Sequence, residues 1–207
     1  MFKDLYENSD LPSVLKEAKT LSMNECEEIY NYMEKNRPKV ILEFGTQFGC
    51  STRVFLEIAK WLEYEVQLHS WDIVNVVKPK CVNQKDFSLH IEDITHKTTK
   101  IINRHNPDLV FLDAHPYKLT KNLMDECLNR KITFMAHDIG FEVGKKRAAV
   151  RSDNFTNFSN DTKTEWELYL LCNLISEDLW EKDYYEDENM TVKCTRDRYG
   201  LAIVEFK

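Results

Sequence analysis

The segment Val40-Ile41-Leu42-Glu43-Phe44-Gly45-Thr46-Gln47-Phe48-Gly49-Cys50-Ser51-Thr52 constrains the fold more than any other part of the chain. Pro38 and Gly45 bound a short, β-branched apolar run, the pattern of a strand buried on both faces of a parallel sheet. From Ser51 onward Val54, Phe55, Ile58, Ala59 and Leu62 recur at helical spacing, with Ser51 or Thr52 available as the cap. Strand, glycine-spaced loop and helix in succession form the unit of an α/β sheet, and ligands bind at such turns.

The glycine spacing narrows the ligand. A dinucleotide fingerprint needs G-x-G-x-x-G so that the backbone can approach a pyrophosphate. Here the pattern is E-F-G-x-x-x-G, and no P-loop lysine follows. An acid beside the loop repels phosphate but accepts from a cation or a ribose hydroxyl, so the loop suits a cofactor with few or no phosphates. A tight structural connection would have the same pattern.

The 207 residues, 43% hydrophobic and 12% aromatic, suffice for one sizeable core. We read one domain over 1–207: an N-terminal helical segment 1–37, a cofactor-binding core 38–140, a lid loop 141–163, and a helix with a terminal hairpin over 164–207. A net charge of -7, from 35 acidic and 28 basic residues, argues against nucleic acid as the main partner, because phosphate neutralisation needs a basic excess. Met1 to Glu7 contain no apolar signal core, and no apolar run approaches the ~20 residues of a membrane span. A cytoplasmic protein without a membrane partner is expected. Six scattered cysteines without a CxxC pair suit free thiols.

Ser22-Met23-Asn24-Glu25 has capping-box spacing ahead of Cys26, Ile29, Tyr30 and Met33, which predicts a helix before the first strand. Further strands are predicted at 66–71, 87–91, 108–112 and 131–136, with crossover helices near 95–104 and 117–129. A helix around Trp166 to Ile175 then precedes an antiparallel hairpin of Met190–Cys194 and Leu201–Phe206. The fold class is α/β, a Rossmann-like doubly wound, mostly parallel sheet with helices on both faces and a C-terminal antiparallel hairpin.

Carboxylates fall at the strand ends: Glu43, Asp72, Asp113 and Asp138, with Glu92-Asp93 after the third strand. Asp72 follows the glycine loop by about 20 residues, the distance at which such an acid reaches ribose hydroxyls. In so acidic a chain some of these coincide by chance, yet buried strands ending in unpaired carboxylates at one edge are costly without a cationic or hydroxyl-rich ligand.

Leu42-Glu43-Phe44-Gly45-Thr46 through Thr52, Trp71-Asp72, Glu92-Asp93, Phe111-Leu112-Asp113-Ala114-His115 and Ala136-His137-Asp138-Ile139 together resemble the class I S-adenosylmethionine-dependent methyltransferases. More narrowly, they are similar to the small-molecule O-methyltransferases related to macrocin O-methyltransferase and the so-called cephalosporin hydroxylases. The resemblance implies that Glu43, Gly45 and Ser51 contact the methionine end of S-adenosylmethionine, Asp72 its ribose and Asp93 the neighbourhood of its adenine, with Thr46 and Asp113 also binding the cofactor. It implies a divalent metal such as Mg²⁺ on Asp113, His137 and Asp138, and His115 with Asp113 as the catalytic pair, His115 as general base.

Two positions depart from the family pattern: Asp113-Ala114-His115 stands for D-G-x-H, and Asn129-Arg130-Lys131 stands for a Gly-Gly pair. The implied acceptor is a hydroxyl of a small molecule, a sugar favoured, including a nucleotide-linked one that Lys145, Lys146, Arg147 and Arg151 would meet. Phe155, Phe158, Trp166 and Tyr169 could stack on its ring. A metal-independent methyltransferase, and a non-catalytic binding protein retaining the cofactor fold, remain alternatives, and a homo-oligomer is left open.

Overall fold

Residue parity along the strands builds the molecule. In β1 (Val40–Phe44), β4 (Leu109–Leu112) and β5 (Phe134–His137) nearly every side chain is buried, as expected of strands covered on both faces. Ile41, Leu109, Phe111 and Met135 enter one core, whereas Leu42, Phe44, Val110, Leu112, Phe134 and Ala136 enter the other. The computed structural model describes residues 1–18, 21–78, 82–83, 85–139, 167–196 and 199–207.

With β2 (Gln67–Asp72), β3 (Ser88–Ile91), β6 (Tyr184–Glu186), β7 (Met190–Thr195) and β8 (Leu201–Phe206), the sheet has the order β3-β2-β1-β4-β5-β8-β7-β6. The first five strands are parallel; β8 runs antiparallel between β5 and β7. Chain order reverses beside β1, between β1 and β4, and that is the crevice where such sheets bind ligands.

One core is closed by α1 (Phe2–Asn8), α2 (Leu11–Ala18), α3 (Met23–Asn36) and α4 (Cys50–Trp61). The other lies under α5 (Thr98–His105), α6 (Tyr117–Arg130) and α7 (Glu167–Leu174). The predicted capping box is present: the Ser22 hydroxyl accepts from the Glu25 N–H, and the Glu25 carboxylate accepts from the Ser22 N–H at 2.5 Å. Across the first core Phe55 meets Phe111 edge-on with ring centroids 5.3 Å apart, a favourable aromatic geometry.

Most expected elements stand within a residue or two of their predicted bounds. The fifth strand begins at Phe134 rather than 131, because α6 runs to Arg130 and Lys131 caps it at φ 56, its N–H returning to the last turn. The short β6, which pairs with β7 at the sheet edge, carried no sequence signal. Cys26, Cys50, Cys127, Cys172 and Cys194 are buried and none is joined in a disulfide among the described residues. No helix among the described residues is long and apolar enough to cross a membrane. The lid expected over 141–163, with Lys145, Lys146, Arg147, Arg151, Phe155 and Phe158, lies outside the described residues, as do Gly140 and Trp166.

Candidate active site

The loop after β1 turns so tightly that only glycine fits. Gly45 has φ 101, and a Cβ there would lie 2.2 Å from the Asp113 carbonyl oxygen. Its N–H donates to Trp71 O at 2.9 Å, which locks the β1 loop to β2. The ends of β1, β2 and β4 are therefore drawn together, and they open into a cavity of about 1120 Å³ lined by Gly45, Asp72, Asp93, Asp113, His115, His137 and Asp138, among others. That volume can hold a nucleoside-sized cofactor together with an acceptor.

Strand parity divides the sequence-predicted residues. Glu43 shares the face of Ile41, so its side chain enters the core toward α4 instead of the cavity. There it is fully buried, and the hydroxyls of Ser51, Thr52 and Ser70 donate to its two oxygens, each at 2.5 Å. Ser70 is its register partner across β1 and β2. Burial pushes the Glu43 carboxyl up to about 7, against the lowering effect of the three hydroxyls. Thr46 is also buried, its hydroxyl 3.4 Å from Trp71 O. Glu43, Thr46 and Ser51 stand behind the cavity wall and shape the loop from within.

Asp72 and Asp93 face the cavity. The Asp72 carboxylate accepts from the N–H groups of Gln47 at 2.8 Å and Val74 at 3.2 Å, which fixes it at the mouth between the β1 and β2 loops. Asp93 accepts from Thr95 N–H at 2.9 Å in an exposed turn; backbone and side-chain hydrogen bonds from Thr95 hold its carboxyl below the usual range. Phe44 and Trp71, register partners, stack at 5.2 Å and floor this side of the cavity.

The second group lies at the ends of β4 and β5. Ligand atoms of Asp113, His115 and Asp138 all lie within 4.8 Å of one another. His115 Nε2 is 3.7 Å from Asp138, and its Nδ1 is 3.6 Å from the fully buried Glu167 at the start of α7. Asp138 is held at φ 61, in the left-handed region that a non-glycine residue adopts at a cost, and Ile139 N–H donates to Gly200 O immediately after it.

His137 forms the core side of the same lining. It shares the face of Met135, so its ring is 3% exposed, with Nδ1 3.2 Å from Asp113 and Nε2 3.9 Å from buried Glu25 of α3. The structure thus brings Asp113 and Asp138 together as expected and adds His115, with His137 bracing Asp113 from the core side.

Charge in this cluster is unbalanced. Burial pulls His115 down, but the Glu167 carboxylate, then Asp113 and Asp138, outweigh it and raise the imidazole to about 9. Burial likewise opposes the charge on His137, yet Asp113, Asp138 and Glu25 raise it to about 10. Burial and the neighbouring Asp113 charge push the Asp138 carboxyl up. Carboxylates crowd each imidazole, and two oxygen donors and one nitrogen donor at these distances fit a divalent cation.

Three contributors escaped sequence reasoning. Glu25 carried a signal, its place in the capping box, but that signal explains only one of its two oxygens; the other accepts from Gly200 N–H at 2.6 Å and faces His137. Glu167 and Tyr199 carried none. Tyr199, in the turn between β7 and β8, reaches the cavity wall with its ring 6.0 Å from that of His137.

No protein-family model matches the sequence, and no curated protein matches it by sequence. Solved structures do match in shape. One is a Staphylococcus aureus protein named as a caffeoyl-CoA O-methyltransferase, with TM-score 0.63 and 16% identity over 98% of this chain and 94% of that one. Another is an O-methyltransferase from Bacillus cereus in complex with SAH, with TM-score 0.61 and 15% identity over 97% and 91%. A third is the O-methyltransferase TomG from Streptomyces achromogenes in complex with SAM, with TM-score 0.57 and 12% identity over 98% and 89%. At these identities the likeness speaks for architecture, and the chain has the Rossmann-like methyltransferase fold that these proteins share.

Proposed function

We propose that the protein is an S-adenosylmethionine-dependent O-methyltransferase that methylates a hydroxyl of a small molecule with the help of a divalent cation. The observation that carries this reading is the division of one cavity into two chemistries: a glycine loop flanked by Asp72 and Asp93 on one side, and the Asp113, His115 and Asp138 cluster on the other. S-adenosylmethionine is a sulfonium with an ammonium group and a ribose diol, so carboxylates beside a close backbone approach suit it. Asp72 would accept from the ribose hydroxyls and Asp93 would flank the adenine. Glu43, Thr46 and Ser51 would act on the methionine end indirectly, by fixing the loop.

A divalent cation in the second group would hold the acceptor oxygen and lower the pKa of its proton. Asp113, His115 and Asp138 would hold that cation, with His115 in the place the sequence assigned to His137. With cofactor and acceptor bound, the C–S bond of the sulfonium would break as the new C–O bond formed, leaving S-adenosylhomocysteine, and the acidified hydroxyl proton would pass to solvent water. Without a cation, His115 would have to serve as base while its carboxylate neighbours keep it protonated at neutral pH, which favours the metal-assisted reading. The described lining has five carboxylates, Asp72, Glu92, Asp93, Asp113 and Asp138, against one lysine, Lys118, which favours a neutral sugar over a phosphorylated or nucleotide-linked one.

Calorimetric titration of S-adenosylmethionine, followed by an assay for S-adenosylhomocysteine with sugar and phenol acceptors, tests the proposal. Micromolar binding, about 8 kcal/mol, and turnover with one acceptor are expected. A folded protein that fails to bind the cofactor, with or without divalent metal, would remove the methyltransferase reading.

A further inference from the structure

We infer that the cation site selects a borderline first-row metal of the zinc, cobalt and iron class over Mg²⁺, with His115 as the discriminating ligand and Glu167 as the residue that positions it. The inference rests on the reading of the cavity given above and specifies its metal. Mg²⁺ demands oxygen donors and keeps its waters, whereas an imidazole nitrogen favours zinc, iron, nickel or copper. In an all-oxygen site Asp113 and Asp138 would be joined by a third carboxylate or by water. Here a ring nitrogen occupies that corner, within 4.8 Å of both acids.

The surroundings of His115 point the same way. Its Nε2 faces Asp138 at 3.7 Å, on the ligand side. Its Nδ1 is buried, has no hydrogen-bond partner among the described residues, and faces the Glu167 carboxylate at 3.6 Å. A carboxylate behind one ring nitrogen and a ligand cluster before the other is the arrangement that fixes tautomer and ring orientation in histidine metal sites. A contraction of under 1 Å would complete the Nδ1–H to Glu167 hydrogen bond and leave the Nε2 lone pair for the metal. Glu167 comes from α7, over fifty residues beyond His115 in the chain, so only the packing of α7 on the sheet supplies this support.

Titration of Co²⁺, Zn²⁺ and Mg²⁺ into the full chain, read by calorimetry and by the visible absorption of bound Co²⁺, tests the inference without an activity assay. Another imidazole group could capture these metals: His69, His90 and His105 on β2, β3 and α5, where His90 Nε2 is 3.5 Å from His69 Nδ1. The titrations are therefore run in a His69→Gln, His90→Gln background. Co²⁺ and Zn²⁺ are expected to bind at least roughly tenfold more tightly than Mg²⁺. His115→Gln should abolish the Co²⁺ spectrum, Glu167→Gln should weaken Co²⁺ by roughly 10- to 100-fold, and His115→Asp should narrow the gap to Mg²⁺. Equal or tighter Mg²⁺ binding, or a Co²⁺ spectrum and affinity unchanged by His115→Gln in a protein with unaltered thermal unfolding, would overturn it. Cofactor binding is measured on the same samples in chelator: retained S-adenosylmethionine affinity with no metal selectivity sinks this inference alone, whereas loss of both sinks the methyltransferase reading.

Discussion

The two halves of the cavity use carboxylates in opposite ways. On the β1 to β3 side, Asp72 and Asp93 sit near solvent and are held by backbone N–H groups, so their charge is satisfied by local turns and available to a ligand. On the β4 and β5 side, Asp113, Asp138, Glu167 and Glu25 crowd two imidazoles in a mostly buried cluster. The first arrangement is what a hydroxyl-rich, singly cationic cofactor needs. The second crowds four carboxylates around two imidazoles, and a divalent cation there would replace the protons that such crowding holds. Distance from water, more than the number of acids, separates a recognition surface from a reactive one.

Gly45 joins the halves, and its substitution should have the largest effect. Gly45→Ala forces a Cβ against the Asp113 carbonyl at a positive φ, and we expect about 4 kcal/mol of destabilisation or more, seen as a fall of about 10 °C in the unfolding midpoint. An unchanged midpoint would mean that the β1 and β4 loops are not locked as described. Next, Asp138→Asn should lower kcat on the order of 10²- to 10³-fold while leaving the S-adenosylmethionine Kd within a few-fold. If it weakens cofactor binding as much as turnover, the halves are not separable.

Glu43 provides a contrast within the recognition side, a buried acid with hydroxyl partners and no cationic partner among the described residues. Its folded pKa of about 7 lies above the 4.5 of a solvent-exposed glutamate, so the folded state binds the proton more tightly than the unfolded chain. Its contribution to stability is complete below pH 4.5 and is lost as pH rises through 7, by about 3 kcal/mol at ~1.4 kcal/mol per pKa unit. Glu43→Gln should flatten that stretch of the stability profile in denaturant titrations; an unchanged slope would place the proton elsewhere. The smallest effect is expected at the cavity mouth. Asp72→Ala should raise the cofactor Kd by roughly 10- to 100-fold, about 1.5–3 kcal/mol for hydrogen bonds to a charged group, with kcat at saturating cofactor unchanged. Equal losses in Asp72→Ala and Asp138→Asn would erase the distinction between the halves.

Much of this molecule is local and therefore legible in its sequence. The apolar runs of β1 and β4, the glycine loop, the α3 capping box and the β7 to β8 hairpin depend on neighbours a few residues apart, and each stands where it was expected. The positions of Asp72, Asp113 and Asp138 at or just past strand ends were equally readable, because parallel strands deliver their carboxyl ends to one edge. What a strand-end acid faces was not readable. Glu43 turns into the core and His137 sits on the core side of the cavity lining because their parity matches Ile41 and Met135, and register decides which hydroxyls or carboxylates meet them there. Glu25 and Glu167 reach the site across more than a hundred and more than fifty residues of chain, respectively, through helix packing that leaves no spacing in the sequence. The sequence by itself determined the sheet, the loop and the inventory of acids; the tertiary structure alone decided which acids stay in water and which are buried beside a histidine, because burial and long-range charge are properties of the packed molecule and not of any segment.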